Sequence, residues 1–181
     1  MKKQDLYALF IDELEDMLSA ENQLVQALPK LVHLATKKDL KDSLQHHLQE
    51  TREQVSRIEQ IFALLDSEPK EKTCKAMQGL IKEANDIVKD KIKSLVLDAA
   101  IISASQKVEH YEIASYGTLH SFARKLELGS DIEKLLQANL DEEGAADKLL
   151  TKIAEGSFFS SGVNELASQV EFTNSGKNVK K

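Results

Sequence analysis

The sequence predicts an all-α protein, built as a four-helix bundle in which a crossover with a short extra helix joins two antiparallel hairpins. Its 181 residues include only 7 glycines, 2 prolines and 5% aromatic residues, which fits a protein with few turns and argues against β architectures. Apolar residues recur at every third or fourth position in five separate segments. Short links join the first two segments and the last two, and such links favour antiparallel neighbours.

The first hairpin is predicted from two long amphipathic segments. The first helix runs from about residue 5 to 35, with an apolar stripe that passes through Leu14. The second starts near Asp39, whose side chain is predicted to cap it, and its pattern continues to about residue 65 before Pro69 ends it. The two helices should therefore pack side by side and run in opposite directions.

The crossover and the second hairpin account for the next three segments. A shorter amphipathic segment at about 73–89 occupies the crossover. A long helix is predicted at about 94–126, Gly129 marks a turn, and a fifth helix follows at about 131–155. The bundle domain is thus predicted to span residues 1–156.

The remaining residues, 157–181, are predicted to form a C-terminal tail that is partly disordered. They are rich in serine, asparagine, glycine and lysine and show no sustained helical period. A weak apolar stretch at 163–172 could dock on a neighbouring surface.

Composition excludes several functional classes. The chain carries 24 basic and 30 acidic residues that are interspersed, and without a concentrated basic face we expect no nucleic-acid binding. A polar N-terminus leads directly into amphipathic pattern, so we expect neither a signal peptide nor a membrane span. The single cysteine, Cys74, cannot form an internal disulfide and is interpreted as a small core residue. A cytoplasmic protein is the resulting expectation.

Glutamates occupy positions where an amphipathic helix normally buries apolar side chains. Four of them fall inside apolar stripes and a fifth lies on the border of one. In chain order they are Glu21, Glu50 at the border, Glu109, Glu112 and Glu143. Because an unpaired buried carboxylate is very unfavourable, the cluster predicts compensating cations, and a pair of metal ions is their usual source in a four-helix bundle.

The height of these residues along the predicted bundle supports their convergence. Glu21 lies nearly as far before the first predicted turn as Glu50 lies after it. Glu112 and Glu143 are placed in the same way before and after Gly129. With a rise of about 1.5 Å per residue, the four lie within about one helical turn of one level. Any one glutamate alone could be a solvated boundary residue, but four at matched height favour a metal site.

Two further side chains could complete such a site, although a structural role is equally open for both. His47 lies one turn before Glu50 and would add a nitrogen ligand, and Asp147 lies one turn after Glu143 on the same face. Hard oxygen ligands suit iron, with manganese as the alternative. Glu50 and Glu143 are the candidate bridging ligands between two ions. The full set of candidate metal ligands is Glu21, His47, Glu50, Glu109, Glu112, Glu143 and Asp147.

The residues just described also resemble a known family over nearly the whole chain. The resemblance lies in SAENQL at 19–24, HLQET at 47–51, GLIKEA at 79–84 and, most specifically, ASQKVEHYEIASYGTL at 104–119. These runs are similar to the YciF/YciE-type proteins, which are bacterial stress-associated members of the ferritin-like superfamily. The resemblance implies a five-helix ferritin-like fold, a homodimer, a centre of two metal ions and ferroxidase activity.

The predicted ligand set departs from the most common ferritin-like pattern. Most di-iron members carry a Glu-x-x-His pair on the second and fourth bundle helices, whereas Glu53 and Ala146 stand at those two histidine positions here. Glu109 and Glu112 together resemble the doubled glutamate of rubrerythrin-like third helices. His47 and Asp147 are therefore the candidates to replace the histidines.

These observations lead to two functional hypotheses. The first is a cytoplasmic, dimeric, ferritin-like di-iron carboxylate protein that oxidises ferrous iron or reduces dioxygen or peroxide under stress. The alternative is a non-catalytic helical stress protein that has a degenerate or structural metal site and acts through protein association. Iron storage in a hollow cage is disfavoured because the resemblance implies dimers.

Overall fold

The computed structural model describes residues 3–89, 91–157 and 160–169, and most of them are helical. The all-α expectation is therefore confirmed. In chain order the elements are α1 (Lys3–Leu34), α2 (Lys38–Leu64), α3 (Lys75–Val88), α4 (Leu95–Leu126), α5 (Ser130–Glu155), β1 (Gly156–Ser157), β2 (Ser160–Ser161) and α6 (Val163–Ser168). None of the helices in the described residues has the length and apolarity needed to cross a lipid bilayer.

The four long helices surround one shared core. Helix α1 packs against α2 and α4, and α5 packs against the same two helices, while α3 lies against α1 and α4. The apolar stripes meet inside, where Leu14 of α1, Leu40 of α2 and Leu136 of α5 are fully buried. Each stripe repeats every three or four residues, so one face of every helix is turned toward this core.

The start of α2 corrects one expectation from the sequence. Lys37, rather than Asp39, is the N-cap residue, and Asp39 lies in the first turn of the helix. The loop before α2 is fixed from a distance, because the carboxylate of Asp98 in α4 accepts hydrogen bonds from the amides of Thr36 and Lys37 at 2.8 and 2.9 Å. The Thr36 hydroxyl donates to the same carboxylate. The loop before α2 is thus held by a carboxylate that is distant in the sequence, and not by the local cap that was expected.

Replacing Asp98 with alanine should lower the free energy of unfolding by about 2–3 kcal/mol, because two loop amides and a hydroxyl lose their acceptor. Asp98 is fully buried, so little water can replace the carboxylate. Urea denaturation followed by circular dichroism measures the change. As a control, Asp42→Ala removes an exposed carboxylate that pairs with Lys38, and it should change stability by less than about 0.5 kcal/mol. Equal midpoints for the two variants would contradict the role of Asp98.

The chain reverses direction after α5, and α6 packs back on the preceding helices. Gly156 has φ +82°, and a Cβ there would lie 2.3 Å from the Ser160 carbonyl oxygen. A Cβ at Gly162 would lie 2.3 Å from the Ala154 carbonyl oxygen. These two glycines therefore permit the tight reversal that brings α6 against α4 and α5, with Val163 fully buried.

The predicted tail thus includes a folded part. The segment at 160–169 contains β2 and α6, whereas the predicted disorder at the end of the chain concerns residues 170–181, which lie outside the described residues. The docking predicted for 163–172 is seen for α6, and the rest of that stretch also lies outside the described residues.

Candidate metal centre

Three helices bring four ligand-type side chains to one place inside the core. They are His47 from α2, Glu109 and Glu112 from α4, and Glu143 from α5. One ligand atom from each lies within 4.8 Å of the corresponding atoms of the others, and all four residues are buried. Glu109 and Glu112 are three residues apart, so their side chains leave α4 on the same face. We call these four residues the His/Glu cluster.

The polar atoms of the His/Glu cluster mostly lack hydrogen-bond partners. The imidazole Nε2 of His47 lies 3.5 Å from Oε2 of Glu109 and 3.8 Å from Oε2 of Glu143, distances that suit ion pairing rather than hydrogen bonding. Buried polar atoms without partners are rare because each costs free energy. Within the cluster, the buried atoms without a partner are Nδ1 and Nε2 of His47, Oε2 of Glu109, both carboxylate oxygens of Glu112 and Oε2 of Glu143. Beside it they include Oε2 of Glu21, Oε1 of Gln54 and Oγ of Ser105.

This donor set fits a cation. Ligands at about 2.0–2.2 Å from a metal ion can be at most about 4.4 Å apart across it, so a 4.8 Å group needs only shifts of a few tenths of an ångström. One imidazole nitrogen and three carboxylates suit iron, manganese or zinc by ligand type. The unpartnered atoms are the ones that a cation would satisfy.

Without a bound cation, burial and the neighbouring charges shift the pKa values of the side chains in the centre. Burial, and then the negative charge of Glu143, raises the pKa of Glu112 well above its ordinary value. Burial and the neighbouring Glu143 carboxylate raise the pKa of Glu109 in the same way. For His47, burial opposes protonation, but the Glu50 and Glu143 carboxylates outweigh it and raise the imidazole pKa. The metal-free centre therefore holds protons where a metal-bound centre would hold positive ions.

Glu21 lies beside the His/Glu cluster and is fully buried in α1. Its Oε1 accepts a hydrogen bond from the hydroxyl of Tyr116, which is also fully buried. Burial raises its pKa most, followed by the charge of Glu143. Since Oε2 of Glu21 has no partner, this carboxylate retains one free ligand atom at the border of the cluster.

Glu50 and Asp147, the two remaining predicted ligands, lie outside the four-residue group. Oε2 of Glu50 is 3.6 Å from Nδ1 of His47, and the Glu50 side chain is 22% exposed. The neighbouring His47 imidazole lowers the pKa of Glu50. Oδ1 of Asp147 accepts from Gln106 Nε2 at 3.2 Å and lies 3.4 Å from His110 Nε2. Glu50 thus adjoins the cluster through His47, while Asp147 has partners of its own.

Sequence reasoning missed a hydrogen-bond network that holds Glu143. The side-chain amide of Gln54 donates to Oε1 of Glu143 and, at 3.1 Å, to Oε2 of Glu142. Arg57 donates two hydrogen bonds to Glu142 at 2.6 and 2.7 Å and a third to Asn139 at 2.9 Å. A signal was available for Gln54, because it lies two helical turns after His47 and so shares its helix face.

Replacing Gln54 with methionine should weaken metal binding by about tenfold or more, because Glu143 loses the donor that orients it. Methionine nearly keeps the side-chain volume, so the core should stay packed. Competition with a chelating dye at fixed pH measures the affinity. Gln60→Met on the exposed side of the same helix is the control and should bind like the wild type. Unchanged affinity in Gln54→Met would show that the network does not position Glu143.

Comparison with known proteins shows the family to which this helical chain with its buried His/Glu cluster belongs. A family model described as a domain of unknown function, DUF892, matches residues 5–166. The chain is 44% identical to protein YciF of Escherichia coli K12 over 158 residues, which is 85% of this chain and 93% of that protein. The chain therefore belongs to the DUF892 family and is a relative of YciF.

Solved structures with the same fold include two relatives at more than 40% identity. The crystal structure of the Escherichia coli stress protein YciF aligns with a TM-score of 0.78 at 44% identity, covering 81% of this chain and 92% of that one. YcfI of Rhodopseudomonas palustris, called a candidate structural protein, aligns with a TM-score of 0.78 at 42% identity over 85% and 96% of the two chains. A protein from Xanthomonas campestris shares the fold at 17% identity, with a TM-score of 0.63 and coverage of 82% and 89%.

Proposed function

We propose that the protein is a ferritin-like di-iron carboxylate protein with ferroxidase-type oxidoreductase activity in the bacterial stress response. The observation that carries this proposal is the His/Glu cluster, in which buried ligand atoms from separate helices converge without hydrogen-bond partners. Native cores rarely leave such atoms unsatisfied, so a cation is the simplest explanation for the arrangement. The stress role is supported by the name given to its relative, the stress protein YciF.

In this proposal the four residues of the His/Glu cluster would hold one ion. Glu21 and Glu50 flank the cluster and would take part in holding a second. Asp147 would join only by giving up Gln106 and His110. Iron is the favoured metal and manganese the alternative, because both accept carboxylate and imidazole ligands.

The fold, location and assembly complete the proposal. We assign α1 with α2 and α4 with α5 to the two antiparallel hairpins of a ferritin-like four-helix bundle, with α3 in the crossover. The packing of each long helix against two others supports this assignment. A cytoplasmic homodimer without nucleic-acid or membrane partners is part of the same proposal.

Bound iron would supply the electrons for reducing dioxygen or peroxide. The residues of this chain do the remaining work. Glu109 and Glu112, whose raised pKa values favour the protonated acids, release protons as a cation replaces them. The buried core excludes bulk water from the site, which strengthens the attraction between the carboxylates and the cation.

Anaerobic loading with ferrous iron, followed by oxygen or peroxide, tests the proposal. The wild type should bind about two irons per chain and consume the oxidant as iron is oxidised. Glu143→Ala should lose both properties, whereas the control Glu59→Ala, at an exposed position of α2, should keep them. Equal iron content and turnover in all three proteins would contradict the proposal.

The alternative function is a non-catalytic helical stress protein that has a degenerate or structural metal site and acts through protein association. The candidate structural protein YcfI is the observation that favours it. This function predicts that oxygen and peroxide are not consumed, whether or not metal binds and stabilises the fold. The same loading experiment therefore separates the two functions.

A further inference from the structure

A small cavity lies between α1, α3 and α4 and reaches the His/Glu cluster from one side. Its volume is about 30 Å³, and His47 and Glu109 form part of its wall. Most of the described residues that line it are alanine, leucine, isoleucine or valine. The cavity is therefore an apolar space that ends at two residues of the proposed metal centre.

Among the described residues that line this cavity, the polar side chains other than Asn85 are His47, Ser105 and Glu109. The Oγ of Ser105 is buried without a hydrogen-bond partner, and so are Oε2 of Glu109 and both ring nitrogens of His47. Ser105 lies one turn before Glu109 on α4, so its hydroxyl stands next to the cluster. An incoming molecule would meet a free hydroxyl there after passing apolar walls.

The outer end of the cavity adjoins an open groove on the protein surface. The groove has a volume of about 760 Å³ and runs between α1, α3 and residues 69–72. Ala27, Ile81 and Asn85 line both the groove and the cavity. These three shared residues lie where the groove and the cavity meet.

The size and polarity of the cavity limit which molecules could pass through it. A space of about 30 Å³ exceeds the minimum that one water needs, and it is small enough to favour molecules of a few heavy atoms. Moving a charged ion along apolar walls would also carry a large desolvation cost, whereas a small neutral molecule avoids it. The geometry thus favours small neutral molecules.

We propose that this cavity is the route by which dioxygen or hydrogen peroxide enters from the groove and reaches the His47 and Glu109 side of the metal centre, where the Ser105 hydroxyl binds it. The inference rests on the proposed function, because the iron that would react with the oxidant belongs to that proposal. It adds the entry side and a binding residue.

Filling the cavity tests the route in the iron-loaded protein. Ala84→Leu places a larger side chain in the α3 wall, and it should leave iron binding unchanged while slowing iron oxidation at least about tenfold. Ala76→Leu, at an exposed position of the same helix, is the control and should react at the wild-type rate. Separate runs with dioxygen and with peroxide show which oxidant uses the route, and slowing with either supports it.

A second variant and a metal-free measurement cover the chance that Ala84→Leu is poorly folded. Ser105→Ala removes only an oxygen atom and should slow the reaction with at least one oxidant by about tenfold, as expected for one lost hydrogen bond. Crystals of the metal-free protein under xenon should show xenon in the wild-type cavity and none in Ala84→Leu. An empty wild-type cavity, or wild-type rates in both folded variants, would overturn the route. Because xenon binding needs no iron, its result stands even if the wild type shows no turnover.

Discussion

Replacing Glu112 with glutamine stabilises the metal-free protein and removes its response to metal. Glu112 is fully buried and neither of its oxygens has a partner, so the folded metal-free protein must keep the carboxyl protonated. Glutamine is neutral and of similar size, and it avoids the cost of that protonation at neutral pH. We expect the free energy of unfolding at pH 7 to rise by about 2 kcal/mol.

The metal response of Glu112→Gln should change in the opposite direction. An amide is a poorer ligand than a carboxylate, so iron or manganese affinity should fall by about a thousandfold. Thermal denaturation with and without metal measures both effects. Glu59→Gln, at an exposed position of α2, should match the wild type in each condition. If added metal still raised the melting temperature of Glu112→Gln as it does for the wild type, Glu112 would not be a ligand.

The stability of the metal-free protein should fall as the pH rises from about 4.5 to 8. Glu21, Glu109 and Glu112 all have raised pKa values in the folded state, chiefly because of burial. Below about pH 4.3, the ordinary glutamate pKa, these groups are protonated in both states and their contribution is fully present. Above it the unfolded chain releases protons that the folded protein keeps, so stability is lost at up to about 1.4 kcal/mol per pH unit for each group.

Two other groups complete this pH dependence. The raised pKa of His47 acts in the same direction, because its contribution is lost as the pH rises through the folded-state value. Glu50 acts in the opposite direction, since its lowered pKa gives stability that is lost as the pH falls, but it is partly exposed and its effect is small. Urea denaturation at several pH values measures the slope.

Metal should reverse the sign of this slope. Deprotonated ligands bind a cation best, so in saturating metal the stability should increase with pH over the same range. The comparison uses one protein under two conditions and needs no variant. A metal-free protein that becomes more stable between pH 5 and 8 would contradict the assignment of the buried glutamates.

The helices were predictable from the sequence because apolar spacing fixes which segments form helices and which face turns inward. The cap of α2 was not predictable, since the carboxylate that holds the preceding loop belongs to Asp98. The apolar-stripe argument that selected Glu21 applies equally to Asp98, which lies between Leu95 and Ile102. A stripe shows that a carboxylate is buried, but it does not show which partner compensates its charge.

The burial of several site residues could be predicted, because apolar spacing shows which face of each helix turns inward. Helix phase placed Glu21, Glu109, Glu112 and Glu143 in the core, and all four are buried. The phase of α2 was less clear, because the face that turns inward carries His47, Thr51 and Gln54, which leaves Glu50 partly exposed.

Side-chain contacts between different helices could not be predicted from the apolar periodicity of each helix. Asp147 shares a face with Glu143, but Gln106 on α4 donates to it and His110 stands beside it. The pairing of Arg57 with Glu142 likewise joins residues that are far apart in the sequence. Such partners depend on how two helices are aligned along their lengths, which a single helix pattern does not encode.

Anomalous diffraction from crystals grown with iron, with data collected on both sides of the iron and manganese absorption edges, tests metal binding most directly. We expect a strong anomalous peak enclosed by His47, Glu109, Glu112 and Glu143, with a second peak toward Glu21 and Glu50. Crystals of iron-treated protein that show no peak among these four side chains, or peaks only at exposed carboxylates, would contradict the assignment.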